Sequence, residues 1–108
     1  MAHSIQGYLS EIKTMKRLTE IEIQKALLSL EGWEFEKDGI IKKFVFANFK
    51  DALATMNRIG EVAEEMNHHP EWFNVYNKLN IRLSTHDKGG ITQLDIDLAK
   101  AIEEIVNN

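Results

Sequence analysis

The chain contains no cysteine. That excludes a disulfide scaffold, a thiolate metal site and a cysteine nucleophile, and it suits a reducing compartment. A basic excess is also missing. Formal net charge is -4 and the lysines and arginines are scattered, so the chain lacks the electrostatic footprint of a duplex nucleic-acid binder. No apolar run approaches the roughly 20 residues that cross a bilayer. The stretch from Met1 to Met15 lacks the apolar core of a secretory leader. No repeat or low-complexity tract interrupts the chain. Its 108 residues suffice for one compact domain with its own core, without help from a metal or a disulfide. The expectation is an intracellular protein, cytoplasmic with the nucleus as a second compartment, with neither direct nucleic-acid binding nor a membrane span.

Residues 1–17 carry little pattern and read as a lead-in, loose or with a short helical turn, so the domain is expected over 18–108. Thr19 and Glu22 form a capping box, with Leu18 and Ile23 placed as a hydrophobic staple. Ile23, Ala26, Leu27 and Leu30 continue at helical spacing, and Gly32 offers a residue tolerant of positive φ to end the helix. Trp33 and Phe35 then alternate with Glu34 and Glu36, as in a half-buried strand. Asp38-Gly39 is a hairpin-turn signal, and the return strand runs Ile40 to Phe46. Asn48 caps a longer helix, with Asp51 in its first turn and an apolar stripe of Phe49, Leu53, Met56, Ile59, Ala63 and Met66. Leu53, Met56 and Ile59 fit either the core or the same helix of a neighbouring subunit. Pro70 limits this helix, because the residue before a proline avoids the α region. A second strand pair follows over Phe73 to Thr85, with Asn77-Lys78 as its turn. After Gly89-Gly90, Thr92 caps a last helix bearing Ile96, Ala99, Ile102 and Val106. The order α-β-β-α-β-β-α predicts an α+β fold, a four-stranded antiparallel sheet with three helices packed on one face.

Chemistry concentrates between Glu64 and His86, where three of the four histidines fall. His68 and His69 are adjacent, and neighbours on a helix point about 100° apart, which hinders their serving one ligand. Pro70 changes this by pushing His69 into an extended conformation while His68 can still close the helix. Both rings can then face one pocket, joined by His86 at the end of a strand. A histidine at a helix C-terminus also serves stability alone through the dipole, and His86 fits a surface position, whereas His3 has no role. Three histidines near a carboxylate could hold zinc or iron. However, His-Glu-x-x-His is absent and adjacent histidines are awkward ligands, so no metal and no cofactor is expected. Ser84 lacks nucleophile-elbow glycines, and Gly89-Gly90 matches neither a P-loop nor a dinucleotide fingerprint.

The run His68-His69-Pro70-Glu71-Trp72 with Asn74-Val75-Tyr76, followed by Thr85-His86 and Asp95 and preceded by Gly32-Trp33, resembles the signature of the pterin-4a-carbinolamine dehydratases. The similarity runs from about Leu18 to the C-terminus. The resemblance implies a homotetramer or homodimer that removes water from a 4a-hydroxytetrahydropterin and yields the quinonoid dihydropterin. That step regenerates the cofactor of aromatic amino-acid hydroxylases, which makes such a hydroxylase a candidate partner. Animal members double as dimerisation cofactors of a homeodomain transcription factor. Carried onto this chain, the essential residues are His68, His69 and His86, supported by Asp95 and Glu64. The loop Asp87-Lys88-Gly89-Gly90 is where this chain departs from the pattern, which bears on substrate preference.

Histidine suits proton transfer because its reference pKa of about 6.5 lies near working pH. His69 or His86 is expected to act as general acid at the C4a hydroxyl, and His68 to position the pterin or to accept the N5 proton. Pro70, Trp33, Ser84, Thr85 and Asp87 are expected to contact the substrate, Trp33 as a pocket wall. Asp95 reads either as the closing residue of a capping box with Thr92 or as a carboxylate orienting His86. Glu64 reads equally as an exposed helical glutamate. Trp72 and Tyr76 read as core or interface residues. The rival functions are an oligomeric binding module and a metal-dependent enzyme.

Overall fold

The computed structural model describes residues 15–108. Residues 1–14, most of the expected lead-in, lie outside the described residues, and Met15 to Thr19 belong to neither helix nor strand. The elements are α1 (Glu20–Leu27), β1 (Glu34–Glu36), β2 (Gly39–Val45), α2 (Phe49–Met66), β3 (Glu71–Val75), β4 (Lys78–Leu83), a 3-10 turn (His86–Lys88) and α3 (Gln93–Val106). The strands form one antiparallel sheet in the order β1-β2-β4-β3, so the two hairpins join through their second strands. The α+β architecture and element order agree with the expectation.

Among the described residues, all three α-helix starts follow the capping chemistry in the sequence. Thr19 Oγ1 accepts from the Glu22 amide at 3.1 Å while Glu22 accepts from the Thr19 amide at 2.9 Å. Asn48 Oδ1 accepts from the Asp51 amide at 2.8 Å, and Thr92 caps α3. Each cap satisfies donors that the first helical turn leaves without partners. The end of α1 comes earlier than expected, at Leu27. Three overlapping turns carry the chain to Leu30, and a fourth, closed by the Trp33 amide on the Leu30 carbonyl, contains Gly32 at φ +86°; Leu30 is buried from outside the helix.

Between helices and sheet lies one core, which includes Ile40 and Phe44 of β2, Leu79, Ile81 and Leu83 of β4, Ile59 of α2, and Ile96, Leu98 and Ile102 of α3. Alternation along β2 and β4 sends these side chains to the helices. The same alternation leaves Val45 and Phe73 exposed, Phe73 at 65%. On α2, Ile59 is buried and Met56 packs against the core, while Leu53 stays exposed. Neither Trp72 nor Tyr76 enters the core: both are exposed.

Both hairpin loops sit one residue earlier than the sequence signals indicate. Glu36 pairs with Gly39, so the loop is Lys37-Asp38, and Val75 pairs with Lys78, so the loop is Tyr76-Asn77. The core sets this register: a slip of one residue would turn every side chain of a strand to the opposite face. The cost falls on Lys37 (φ 56°) and Tyr76 (φ 53°), which adopt a left-handed conformation that disfavours side chains with a Cβ. Replacing Lys37 by glycine should therefore stabilise the protein, by up to about 1 kcal/mol after the greater freedom of glycine in the unfolded chain is subtracted. A higher urea midpoint is the expected result; a lower one would mean that the Lys37 side chain contributes more than its backbone strain costs.

Candidate active site

Three histidines reach one end of the sheet from two separate stretches of chain. The first stretch leaves α2 through a left-handed residue, Asn67 at φ 51°. The His68 amide donates to the Ala63 carbonyl at 3.0 Å and the Asn67 amide to the Glu64 carbonyl at 3.1 Å, the paired bonds of a Schellman ending. Asn67, rather than His68 as the sequence reading expected, thus closes the helix, and His68 already lies beyond it. The chain passes through Pro70 and enters β3 at Glu71. The second stretch leaves β4 at Leu83, continues through Ser84 and Thr85, and makes the 3-10 turn that His86 opens. Gly89 ends that turn at φ 67°, where a side chain would be strained.

Asp95 ties the two stretches together. Its side chain is fully buried, and a carboxylate in such a place is tolerable only if donors replace its lost water. His68 Nε2 donates to Oδ1 at 2.6 Å, while the Thr92 amide and the Thr85 hydroxyl donate to Oδ2 at 2.9 and 2.7 Å. Because Thr85 spends its proton on Asp95, the 2.8 Å contact between Thr85 and Thr92 hydroxyls has Thr92 as donor. Asp95 thus serves more than one element. It does close a capping box on α3, and it also orients a histidine, but that histidine is His68 and not His86. As a carboxylate it only accepts, so the shared ring proton of His68 sits on Nε2, and a neutral ring keeps its lone pair on Nδ1.

The other two rings are open to solvent. His69, with a side chain 58% exposed, donates from Nε2 to Glu64 Oε1 at 2.8 Å, so Glu64 is an exposed helical glutamate that nonetheless holds a candidate residue. His86 is 74% exposed, and its Nε2 lies 3.9 Å from Glu71 Oε2, within ion-pair range but too long for a hydrogen bond. That same oxygen accepts from Arg82 Nη1 at 2.9 Å. Each histidine thus faces a carboxylate from a different element: α3, α2 or β3.

The remaining expected residues divide. Pro70 is half-buried between His69 and Glu71, and Thr85 belongs to the Asp95 network. Ser84 is buried, and its hydroxyl donates at 2.6 Å to the Asp38 carbonyl in the first hairpin loop, so it fastens that loop to the end of β4. Asp87 is exposed in the 3-10 turn. Trp33 does not join the group. It is buried against Phe44, and its indole Nε1 donates to Glu103 at 3.0 Å, eight residues beyond Asp95 and so about 12 Å along α3. Its place is in the core, not in the wall of the histidine site. Among the described residues, no group of three or more histidine or carboxylate side chains is arranged to hold a metal ion. The fold also brings Glu71 beside His86 and Arg82 beside Glu71, neither of which the sequence singles out as a site residue. Glu71 stands inside the His-His-Pro-Glu-Trp run, but its pairing becomes visible only from the strand register that sets it opposite Arg82.

Replacing Asp95 by asparagine puts an amide NH2 group where one of three donors now bonds, leaving buried donors facing each other. The expected loss is about 1–3 kcal/mol of stability in urea denaturation. The Glu64→Gln change, on the solvent face, should stay within about 0.5 kcal/mol. Equal stability of the two variants would contradict the network described for Asp95.

Comparison with known proteins identifies the family. Residues 16–105 match the family model for pterin 4 alpha carbinolamine dehydratase. A protein of Christiangramia forsetii provisionally named a pterin-4-alpha-carbinolamine dehydratase is 49% identical over 94 residues, which cover 87% of this chain and 97% of that one. One of Sulfurisphaera tokodaii with the same name is 46% identical over 92 residues, covering 85% and 99%. Among solved structures, a transcriptional coactivator/pterin dehydratase from Brucella melitensis superimposes with a TM-score of 0.82 at 40% identity, covering 83% of this chain and 98% of that one. A pterin dehydratase-like RuBisCO assembly factor of the alpha-carboxysome, at 17% identity and a TM-score of 0.58, shares the fold. With a family match across most of its length and relatives close to half identical, the chain belongs to the pterin-4-alpha-carbinolamine dehydratase family.

Proposed function

We propose that this protein removes water from a 4a-hydroxytetrahydropterin by proton transfer between histidines and substrate, in the recycling of tetrahydrobiopterin. The observation that carries the reading is the Asp95 network. It fixes His68 beside Thr85, and hence beside the His86 turn, in a chain whose relatives carry the dehydratase name. The reaction breaks the C4a–O bond. An acid gives a proton to the departing hydroxyl, the N5 lone pair forms the C4a=N5 double bond, and a base takes the N5 proton. The products are water and quinonoid dihydropterin.

His69 and His86 suit the acid, because their exposure lets them exchange protons with solvent between turnovers. His68 suits positioning or acceptance of the N5 proton. Its Nε2 is committed to Asp95, so Nδ1 is the nitrogen with which it would act. Pro70, Thr85 and the Asp87 turn border these rings and would meet the pterin edge. A homotetramer or homodimer, with an aromatic amino-acid hydroxylase as beneficiary, belongs to the same reading. A second reading, an oligomeric partner of a transcription factor, is favoured by the description of the Brucella melitensis protein as a transcriptional coactivator.

Stopped-flow measurement of 4a-hydroxytetrahydropterin breakdown tests the first reading. The protein should accelerate it, and alanine at His69 or His86 should lower the enzymatic rate by roughly 10²–10⁴-fold for whichever ring is the acid. Alanine at His68 should lower it as well. If all three variants kept full rate, the reading would fall. Since the steps proposed are proton transfers, extensive dialysis against EDTA should leave the rate unchanged, and elemental analysis should find no stoichiometric zinc or iron. A rate lost to EDTA and restored by zinc or iron would favour a metal-dependent enzyme instead.

A further inference from the structure

We infer that Glu71 is a positioning residue for His86, and that Arg82 holds Glu71 in place to do so. The inference rests on the dehydratase reading for its kinetic part and on geometry for the rest.

Of the three candidate rings, His86 has the least support. His68 is clamped by a buried carboxylate at 2.6 Å and His69 by a carboxylate at 2.8 Å, whereas His86 stands 74% exposed on a three-residue turn. An exposed imidazole on such a turn samples several rotamers unless something nearby selects one. The Glu71 carboxylate lies 3.9 Å from the Nε2 of His86. It is not free to follow the ring. Glu71 lies directly opposite Arg82 in the β3–β4 ladder, on the same face, and its Oε2 accepts from Arg82 Nη1 at 2.9 Å. Arg82 in turn packs against the neighbouring strand β2. Its guanidinium lies over Gly39 so closely that a Cβ built there would come within 2.6 Å of Cζ. A glycine at 39 thus makes room for Arg82, Arg82 anchors Glu71, and Glu71 offers a negative charge at a fixed place beside His86. Attraction to a protonated ring would select the rotamer that keeps Nε2 near that charge, so the proton leaves from a defined point. Glu71 need not touch the pterin for this.

Three-bond couplings across χ1 of His86, read by NMR, test the geometric part without any assay. In the wild-type protein they should report one dominant rotamer; in Glu71→Gln, which keeps the size but not the charge, they should average toward several. Kinetically, an exposed pair of this kind is worth up to about 1 kcal/mol, so kcat of Glu71→Gln should fall by about 3- to 5-fold with KM within about 2-fold. Glu71→Asp should recover part of the loss. Averaged couplings in the wild type, identical couplings in both proteins, or an unchanged kcat in Glu71→Gln would each overturn the inference. If the wild-type protein shows no dehydration at all, the functional reading fails instead, and the couplings still decide the role of Glu71.

Discussion

A single buried carboxylate holds this molecule's working end together. Asp95 accepts from the backbone that opens α3, from a hydroxyl at the end of β4 and from an imidazole just past α2. Two stretches of chain, the end of α2 and the run from β4 into α3, meet on two oxygen atoms. Burying that charge is worthwhile only because every donor is present, and removing one would leave the others facing an under-solvated carboxylate. The cap of α3 and the orientation of His68 are therefore one structure, which is why stability and site geometry cannot be separated there.

Around this point the site is graded. His68 is enclosed, His69 is tethered at the surface, and His86 is the most exposed. Such a gradient suits proton chemistry on a flat heterocycle. In the proposed reaction one ring would keep a fixed tautomer against the substrate, while others would reload from water. The sheet contributes by register: pairing Glu71 with Arg82 and fastening the first hairpin loop through Ser84 bring β3, β4 and the β1–β2 turn to the same edge as the histidines.

Much of the fold is legible in the sequence because its signals are local. Thr19 with Glu22, Asn48 with Asp51, and Thr92 with Asp95 lie within one helical turn of each other, and their side chains do what that spacing predicts. The hairpins are legible in existence but not in register. Asp38-Gly39 looks like a turn, yet Gly39 is already the first residue of β2, because core packing of Ile40 and Phe44 outweighs the strain at Lys37. At the site, the residue types were readable and the partnerships were not. His68 and Asp95 are 27 positions apart, and only the packing of α3 against α2 shows that Asp95 serves His68 rather than His86. Trp33, within the Gly32-Trp33 part of the family resemblance, fits a pocket wall on paper. In the fold its indole instead reaches Glu103, on the stretch of α3 far from Asp95.

The left-handed turn at Asn67 carries a consequence for how this site can change over time. Had α2 run on through 67 and 68, the two adjacent rings would be welded to one rigid rod, and any adjustment of one would swing the other. Broken at 67, the neighbours answer to different masters: the inner ring to the last helix, the outer ring to the second. Substitutions on α2 that retune the solvent-facing imidazole need not unsettle the interior one, so the surroundings of two residues side by side in the chain can be adjusted as if they were far apart.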